Sequence, residues 1–133
     1  MGNIVHLSEA ASIAIHSLVL IAKAESQLNV QKIAESTGSS RHHVAKVLQR
    51  LTKEGFIVSS RGPHGGFQLN KAPDQISLLS IYEAIEGTMN IPKCAADHHI
   101  CPFNKCLMDD VAQQMTVQFK NYLESQTVQS YLE

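Results

Sequence analysis

Long apolar runs are absent from this sequence of 133 residues. The longest extends from Leu18 to Ala22, far short of the roughly 20 apolar residues that a membrane-spanning helix requires. No signal-peptide pattern opens the chain, because a polar Gly2-Asn3 start and Glu9 stand where a basic start and a cleavage site would be expected. We therefore expect a cytoplasmic protein with no membrane partner.

The sequence also lacks the motifs that mark common enzyme sites. It has no nucleophile elbow and no constellation of paired carboxylates, and the run from Gly62 to Gly66 lacks the following lysine and helix of a phosphate loop. A length of 133 residues with 44% hydrophobic content suits one compact domain with a helical extension. We therefore expect a small protein that is not an enzyme.

Net charge is also low, at −1, which argues against a protein that coats nucleic acid through bulk electrostatics. The distribution of charge is uneven, however. Residues 41–71 contain six basic residues and one acid, whereas residues 72–133 contain three basic residues and eight acids. A basic middle and an acidic second half predict that one part meets phosphate and the other meets protein or solvent. The alternative is ordinary solvated charge.

Three helices are predicted in the first part of the chain. Ser8 caps the first, and Asn29 caps the second, which stops at Gly38. Ser39-Ser40 caps the third, which ends at Gly55. The apolar residues of this third helix follow helical spacing, and they are Val44, Val47, Leu48 and Leu51. Two helices joined by a short Gly-Ser-Ser turn, the second basic on its open face, indicate a helix-turn-helix.

Two short strands around a glycine-rich turn follow the third helix. The strands are Phe56–Ser60 and Phe67–Leu69, and the turn between them begins with Arg61 and contains His64. Glycines in this turn allow positive φ and a close approach of the backbone to a surface. Arg61 and His64 stand where the tip of a wing would contact a phosphate or enter a minor groove.

The second half of the chain is predicted to contain a helix, an irregular segment and a longer helix. Ser77 caps a helix that ends at Gly87, and all three cysteines lie in the aperiodic segment that follows. A stripe of apolar residues then marks an amphipathic helix, comprising Leu107, Val111, Met115, Phe119 and Tyr122. The predicted divisions are a DNA-binding domain at 1–87, a cysteine-containing loop at 88–106 and a long helix with a terminal turn at 107–133. The fold class is therefore mainly α with a small β wing, a winged helix-turn-helix followed by a long C-terminal helix.

The cysteines Cys94, Cys101 and Cys106 follow the spacing C-x6-C-x4-C. An odd count in a cytoplasmic protein argues against a disulfide framework, so the thiols are metal ligands, reactive groups or small buried hydrophobes. Their place in a polar loop disfavours the buried alternative, and structural zinc sites have closer pairs. Thiolates favour iron-sulfur clusters, in which three cysteines and one different ligand would fill four terminal positions.

The run Arg61–Leu69 followed by Ile76–Gly87 resembles the Rrf family of bacterial transcription regulators, which includes the iron-sulfur regulator IscR and the nitric-oxide sensor NsrR. The resemblance extends from about Leu7 to Leu132. It implies a homodimer that is paired through the long helix and binds a roughly palindromic double-stranded DNA operator. Only the resemblance, and no periodicity, implies the dimer.

The resemblance places the DNA contacts of the family on Ser40, His42, His43, Ala45, Lys46 and Arg61. Ala45 and Lys46 stand where IscR has a glutamate and a glutamine, so the operator should differ from that of IscR. With the basic and wing residues included, the predicted DNA-binding set is Ser40, Arg41, His42, His43, Lys46, Arg50, Arg61 and His64. For Arg50 the alternative is an ordinary solvated helix residue. A winged helix that binds protein instead of DNA is the alternative for the whole module.

The resemblance also implies that the three cysteines hold an iron-sulfur cluster, with either two or four irons. The fourth ligand remains open. In IscR a histidine stands at the place of Asp109, and in other members the partner's first helix supplies ligands at positions that match Ser12 and His16. His98 and His99 are further candidates. A cluster-free member of the family, which responds through thiols or a partner enzyme of cysteine metabolism, is the alternative function.

Overall fold

Each of the first four helices begins at a side-chain cap, as the sequence predicts. In the computed structural model, which describes residues 6–91 and 101–132, these helices are α1 (Glu9–Lys23), α2 (Val30–Thr37), α3 (Arg41–Lys53) and α4 (Leu78–Glu86). Ser8, Asn29, Ser40 and Ser77 each accept a hydrogen bond from the backbone N–H three residues later. These caps satisfy N–H groups that have no partner inside the helix.

The core forms where α1, α3 and α4 pack together beneath α2. Leu18 of α1, Leu48 of α3 and Ile81 of α4 are fully buried, and Ile33 anchors α2 against them. The predicted apolar stripe of α3 is buried throughout, which turns the opposite side of α3 towards solvent. No helix among the described residues is long and apolar enough to cross a membrane.

The wing is an antiparallel pair of strands, β1 (Ile57–Ser60) and β2 (Gly66–Leu69). Its base pairs Ile57 with Leu69, and its outer end pairs Ser60 with Gly66. A bridge between Leu28 and Phe67 attaches the wing to the connection between α1 and α2, with the Phe67 N–H 2.8 Å from the Leu28 carbonyl oxygen. The wing therefore has a fixed base on the helical domain.

The last long helix, α5 (Val111–Ser125), starts one turn later than the sequence predicts. The helical stripe was expected to begin at Leu107, but Leu107 lies in a turn because Asp109 and Asp110 adopt left-handed backbone conformations, with φ of 49° and 65°. After α5, a short 3-10 turn (Val128–Tyr131) follows Thr127, which stands at its N-cap. Its Val128 N–H donates to the Ile76 carbonyl at 2.9 Å, which fixes the chain end beside the start of α4.

Candidate nucleic-acid interface and cysteine segment

One side of α3 is exposed and carries polar and basic side chains. His42, Lys46, Gln49 and Lys53 are all exposed, and their spacing places them opposite the buried stripe. The described residues contain two ion pairs, and neither involves Lys46 or Lys53. The positive charge of this face is therefore available to an external phosphate.

Two other predicted DNA-binding residues of α3 have contacts within the protein. The His43 ring nitrogen Nδ1 lies 3.4 Å from a carboxylate oxygen of Glu9, at the start of α1. The Ser40 hydroxyl caps the same helix by accepting the His43 N–H at 3.1 Å. Both residues remain at the surface, at the end of α3 that also presents the exposed Arg41. The N-terminus of α3 thus presents a serine, an arginine and two histidines together.

Arg50 differs from the other basic residues of α3. Its Nε donates to the Ala84 carbonyl oxygen at 3.0 Å, and the same nitrogen lies 3.4 Å from a carboxylate oxygen of Glu54. The side chain is about half exposed. Arg50 therefore joins α3 to α4, a role that the sequence alone did not indicate.

The tip of the wing is solvent-exposed from Arg61 to His64. Gly62 has a left-handed φ of 105° with open space around its Cα, and its carbonyl accepts the Gly65 N–H at 2.9 Å. This tight turn projects Arg61 and His64 beyond the strands. Neither residue takes part in an ion pair with any residue that the structure describes.

Two wing glycines are required by the protein's own backbone. A Cβ on Gly65 would lie 2.4 Å from the Ser60 carbonyl oxygen, and one on Gly66 would lie 2.6 Å from the Leu28 carbonyl oxygen. The sequence predicts that glycine allows a close approach to a surface. At these two positions the approaching surface belongs to the same chain.

Two glutamines near the interface were missed in the sequence. Gln27 accepts a hydrogen bond from the Ser60 hydroxyl and donates to the Gln68 side chain at 3.4 Å, so it supports the wing from the α1–α2 connection. Gln49 shares the exposed face of α3 with Lys46, and glutamine is suited to read adenine in the major groove. Helical spacing alone places Gln49 on this face. Because Gln49 is uncharged, it adds nothing to the basic pattern that indicates a DNA-binding helix.

The described cysteines lie in irregular structure at the surface. Cys101 and Cys106 are free and partly exposed, whereas Cys94, His98 and His99 lie outside the described residues. Backbone N–H groups of Asp110 and Met108 stabilise the Cys106 thiolate and lower the pKa of this thiol below its usual value. A lowered pKa increases the share of Cys106 in the thiolate form, which binds metals and attacks electrophiles.

The described part of the chain brings together no group of three or more histidine, cysteine, aspartate or glutamate side chains that could hold a metal. Among the candidates for a fourth ligand, Asp109 is exposed in the turn before α5, and His16 is exposed on α1. The His16 Nδ1 lies 2.6 Å from the Ser12 carbonyl oxygen, and that contact leaves Nε2 unused. His16 is therefore exposed at the surface, although it lies in a largely apolar helix.

A groove of about 720 Å³ runs between α1 and the C-terminal half of α5. Ser12 and His16 line one side, and Phe119 and Tyr122 line the other. Both α1 positions that the family resemblance assigns to ligands from a partner subunit thus face this groove.

The helix α5 has an uncovered apolar face. Val111, Met115 and Tyr122 are 48%, 41% and 54% exposed, and Leu107 in the preceding turn is 72% exposed. Phe119 is the exception, because it packs edge-on against Tyr82 of α4 with ring centroids 6.3 Å apart. Within α5 only Leu123 is buried. A contiguous apolar face of this kind marks an interaction surface.

Comparison with protein families gives a match over residues 7–133 to Rrf2, described as Iron-dependent Transcriptional regulator. The sequence is 30% identical over 89 residues to the HTH-type transcriptional regulator NsrR of Geobacillus kaustophilus, a match that covers 67% of this chain and 58% of that protein. NsrR of Bacillus licheniformis is 27% identical over 107 residues, covering 79% and 75% of the two chains.

Solved structures share the fold over almost the whole chain. CymR, the global cysteine regulator of B. subtilis, superposes with a TM-score of 0.80 at 21% identity, covering 97% of each chain. IscR of T. potens superposes with a TM-score of 0.75 at 22% identity, covering 96% of this chain and 86% of that one. At these identities the likeness establishes the winged-helix architecture alone. The signal to which the protein responds depends on the residues of this chain.

Proposed function

Because the chain belongs to the Rrf2 family of iron-dependent transcriptional regulators, we propose that it binds operator DNA through the exposed face of α3 and the tip of its wing. The family and the relatives are transcription regulators and not enzymes. In this proposal residues 1–87 bind DNA, residues 88–106 sense the signal and residues 107–133 form the dimer.

The observation that carries the DNA-binding proposal is the pairing of two projecting basic elements. The exposed face of α3 presents His42 and Lys46, and the wing tip presents Arg61 and His64. A helix of this polarity fits the major groove, while an arginine on a projecting turn suits a phosphate or a narrow minor groove. Ser40, Arg41 and His43 supply further contacts at the N-terminus of α3, where backbone N–H groups favour an anion.

Replacement of Arg61 by alanine tests this interface. Arg61→Ala should weaken operator binding by about 1 to 3 kcal/mol if Arg61 reads a base or a narrow groove. Affinity is measured by gel shift at two salt concentrations, with a duplex that the wild-type protein selects from a randomised library. Unchanged affinity in a correctly folded Arg61→Ala protein would remove Arg61 from the interface.

The apolar face of α5 supports a homodimer. Val111, Met115 and Tyr122 expose apolar area that another copy of the same helix would cover. The groove beside α1 continues this surface and contains His16. In a dimer, Ser12 and His16 of one subunit would thus lie on a face available to its partner. Sedimentation equilibrium at micromolar concentration should give twice the monomer mass, and the monomer mass would contradict the proposal.

Cys94, Cys101 and Cys106 would hold an iron-sulfur cluster, with two or four irons. The donor set of the described residues fits this group, because Cys101 and Cys106 are free thiols in a surface segment and the pKa of Cys106 is lowered. A bound cluster would supply reactivity towards oxygen or nitric oxide. The fourth ligand is sought among Asp109, His16, His98 and His99, of which His16 lines the groove. NsrR relatives support a chemical signal of this class.

The protein's own contribution to signalling lies at the two ends of the cysteine segment. The segment starts after α4, whose last turn contacts α3 through Arg50, and it ends at the turn that starts α5. Ordering or release of this segment would alter packing at both ends. A differential DNA affinity of about 1 to 3 kcal/mol between two arrangements is enough for regulation.

Anaerobic reconstitution with iron and sulfide tests the cluster. The wild-type protein should gain visible absorption together with bound iron and sulfide, and replacement of any one cysteine by alanine should reduce both. A wild-type protein that stays colourless, or that binds only zinc, would instead favour the cluster-free alternative. In that alternative the regulator responds through thiols or through a partner enzyme of cysteine metabolism. CymR, the global cysteine regulator of B. subtilis, has the same fold.

A further inference from the structure

The last turn of α4 contacts three other parts of the molecule. The Ala84 carbonyl accepts a hydrogen bond from Arg50 of α3, at 3.0 Å. The Glu86 carboxylate accepts a hydrogen bond from Ser8, the residue that caps α1. The Glu83 carboxylate accepts the Met89 N–H at 2.8 Å, at the start of the segment that contains the cysteines. One helical turn thus joins α3, which is the proposed recognition helix, to α1 and to the beginning of that segment.

The Arg50 contact satisfies a backbone group that the helix itself leaves free. The last carbonyls of a helix have no N–H partner within it. At the end of α4 the Glu83 carbonyl is taken by the Gly87 N–H at 2.9 Å, and Gly87 then turns the chain away with a φ of 88°. The Ala84 carbonyl therefore depends on an external donor, and Arg50 provides one. A cationic donor at this end of a helix is also favoured by the helix dipole.

The surroundings of Arg50 make it a poor phosphate ligand. Its Nε is engaged by Ala84, and Glu54 lies 3.4 Å from the same nitrogen with an opposing charge. The helical period also places Arg50 on the flank of α3, whereas Lys46 and Lys53 lie opposite the buried stripe. Charge and direction both point Arg50 towards α4.

The start of the cysteine segment is also connected to α5. The Met89 carbonyl accepts a hydrogen bond from the Lys120 ammonium at 3.4 Å, while its N–H is bound by Glu83. The backbone of Met89 is thus fixed on both sides, by α4 and by α5. A displacement of this segment would therefore act on α5 and on the turn of α4 that Arg50 binds.

We propose that Arg50 is a positioning residue, which holds the recognition helix against the last turn of α4 and so connects the start of the cysteine segment to the DNA-binding face. This proposal rests on the DNA-binding function proposed above. Under this proposal Arg50 does not contact DNA directly. It affects DNA binding through the position in which it holds α3.

The replacement Arg50→Met, which fills the side-chain position up to Nε without a charge or an N–H donor, separates positioning from phosphate binding. If Arg50 positions α3, affinity for the selected operator should fall by about three- to tenfold, while affinity for a random duplex of equal length and the salt dependence of binding should stay at their wild-type values. A direct phosphate contact would instead weaken binding to both duplexes and lower the salt slope by about 0.9. That second result would overturn the proposal.

Two further variants control for charge and for folding. Arg50→Lys keeps the positive charge but has no donor at the position of Nε, so it should lose operator affinity as Arg50→Met does. Retention of wild-type affinity by Arg50→Lys would contradict positioning. Lys53→Gln removes a charge from the exposed face of the same helix and should affect both duplexes to a similar degree. Circular dichroism of each variant verifies that the helices are intact.

The connection to the cysteine segment is tested by combining Arg50→Met with Glu83→Ala. Glu83→Ala removes the carboxylate that holds Met89 and should lower operator affinity in the wild-type background. In the Arg50→Met background the same change should have little further effect, because the connection to α3 is already broken. Losses that simply multiply would show that the segment does not act on α3 through this turn. A wild-type protein that selects no operator would contradict the DNA-binding function itself.

Discussion

The replacement Gly66→Ala is expected to detach the wing from its base. A Cβ at this position would lie 2.6 Å from the Leu28 carbonyl oxygen and 2.8 Å from the Leu28 carbonyl carbon. Both are backbone atoms, so neither can move aside as a flexible side chain would. The two strands must therefore separate from Leu28, and the bridge between Leu28 and Phe67 is lost.

The magnitude follows from two contributions. Forcing an extra methyl group into a packed site costs about 1 to 3 kcal/mol. Relief of this clash by separation would instead sacrifice the two Leu28–Phe67 backbone hydrogen bonds, each worth about 1 kcal/mol net. Either route lowers the free energy of unfolding by about 2 kcal/mol, a large fraction of the 5 to 15 kcal/mol that is typical of a domain.

Gly62→Ala is the matched control, because Gly62 lies in the same wing but has open space around it. Only its left-handed φ of 105° opposes a side chain, at a cost of roughly 1 kcal/mol. Urea denaturation followed by circular dichroism compares the variants at one fixed protein concentration, since a dimer unfolds in a concentration-dependent way. If Gly66→Ala destabilises the protein no more than Gly62→Ala does, the wing is not held by its contact with Leu28.

Three further predictions concern the core, the dimer face and the cysteine segment. Ser17→Ala should leave the free energy of unfolding unchanged or raise it by up to about 1 kcal/mol, because the fully buried Ser17 hydroxyl has no hydrogen-bond partner among the described residues. A clearly lower free energy of unfolding in urea denaturation would show that the hydroxyl does have a partner. Met115→Glu should shift the sedimentation equilibrium towards monomer, since it places a charge on the exposed apolar face of α5, whereas Gln118→Glu, also exposed on α5, should not. In the metal-free protein, alkylation of Cys106 should reach half its maximal rate at a pH below the ordinary thiol pKa of about 8.5, because backbone N–H groups stabilise the thiolate. Mass spectrometry across a pH series measures the rate of alkylation. A midpoint at or above the ordinary value would contradict the lowered pKa.

The helix starts could be predicted from the sequence because their chemistry is local. Ser8, Asn29, Ser40 and Ser77 each bind an N–H three residues away, so cap and partner appear together in any short window of sequence. The family match confirms the transcription regulator that these helices and the wing motif indicated.

The start of α5 could not be predicted in the same way. The apolar stripe continues back to Leu107 without interruption, and periodicity alone extends the helix to that residue. The break arises because Asp109 and Asp110 both adopt positive φ, a conformation that residues other than glycine seldom take. Aspartate is among the few that tolerate it, and nothing in the surrounding pattern marked these two.

Partners distant in sequence account for the other differences. From its helical position Arg50 is expected to contact DNA or, as the alternative, to be an ordinary solvated residue, but its hydrogen-bond acceptor is Ala84, on another helix. His43 likewise meets Glu9, at the start of α1. Gly66 was expected to serve a contact with a surface, and the surface is the backbone of Leu28. Spacing within one element carries no information about such pairs, because tertiary packing decides them.

These distant pairs connect the proposed sensor and DNA-binding regions by two separate routes. Along α4, the last turn binds Met89 at the start of the cysteine segment and Arg50 of the recognition helix. Along α1, Glu9 contacts His43 of the recognition helix, while His16 lies on the groove two turns further along. Glu9 and His16 are separated by only about 10 Å along the axis of α1. Over this distance the helix moves as a rigid body, so a displacement at one residue reaches the other. A change at the proposed dimer groove and a change in the cysteine segment would therefore both act on α3, at its N-terminal turn through α1 and near its C-terminal end through Arg50.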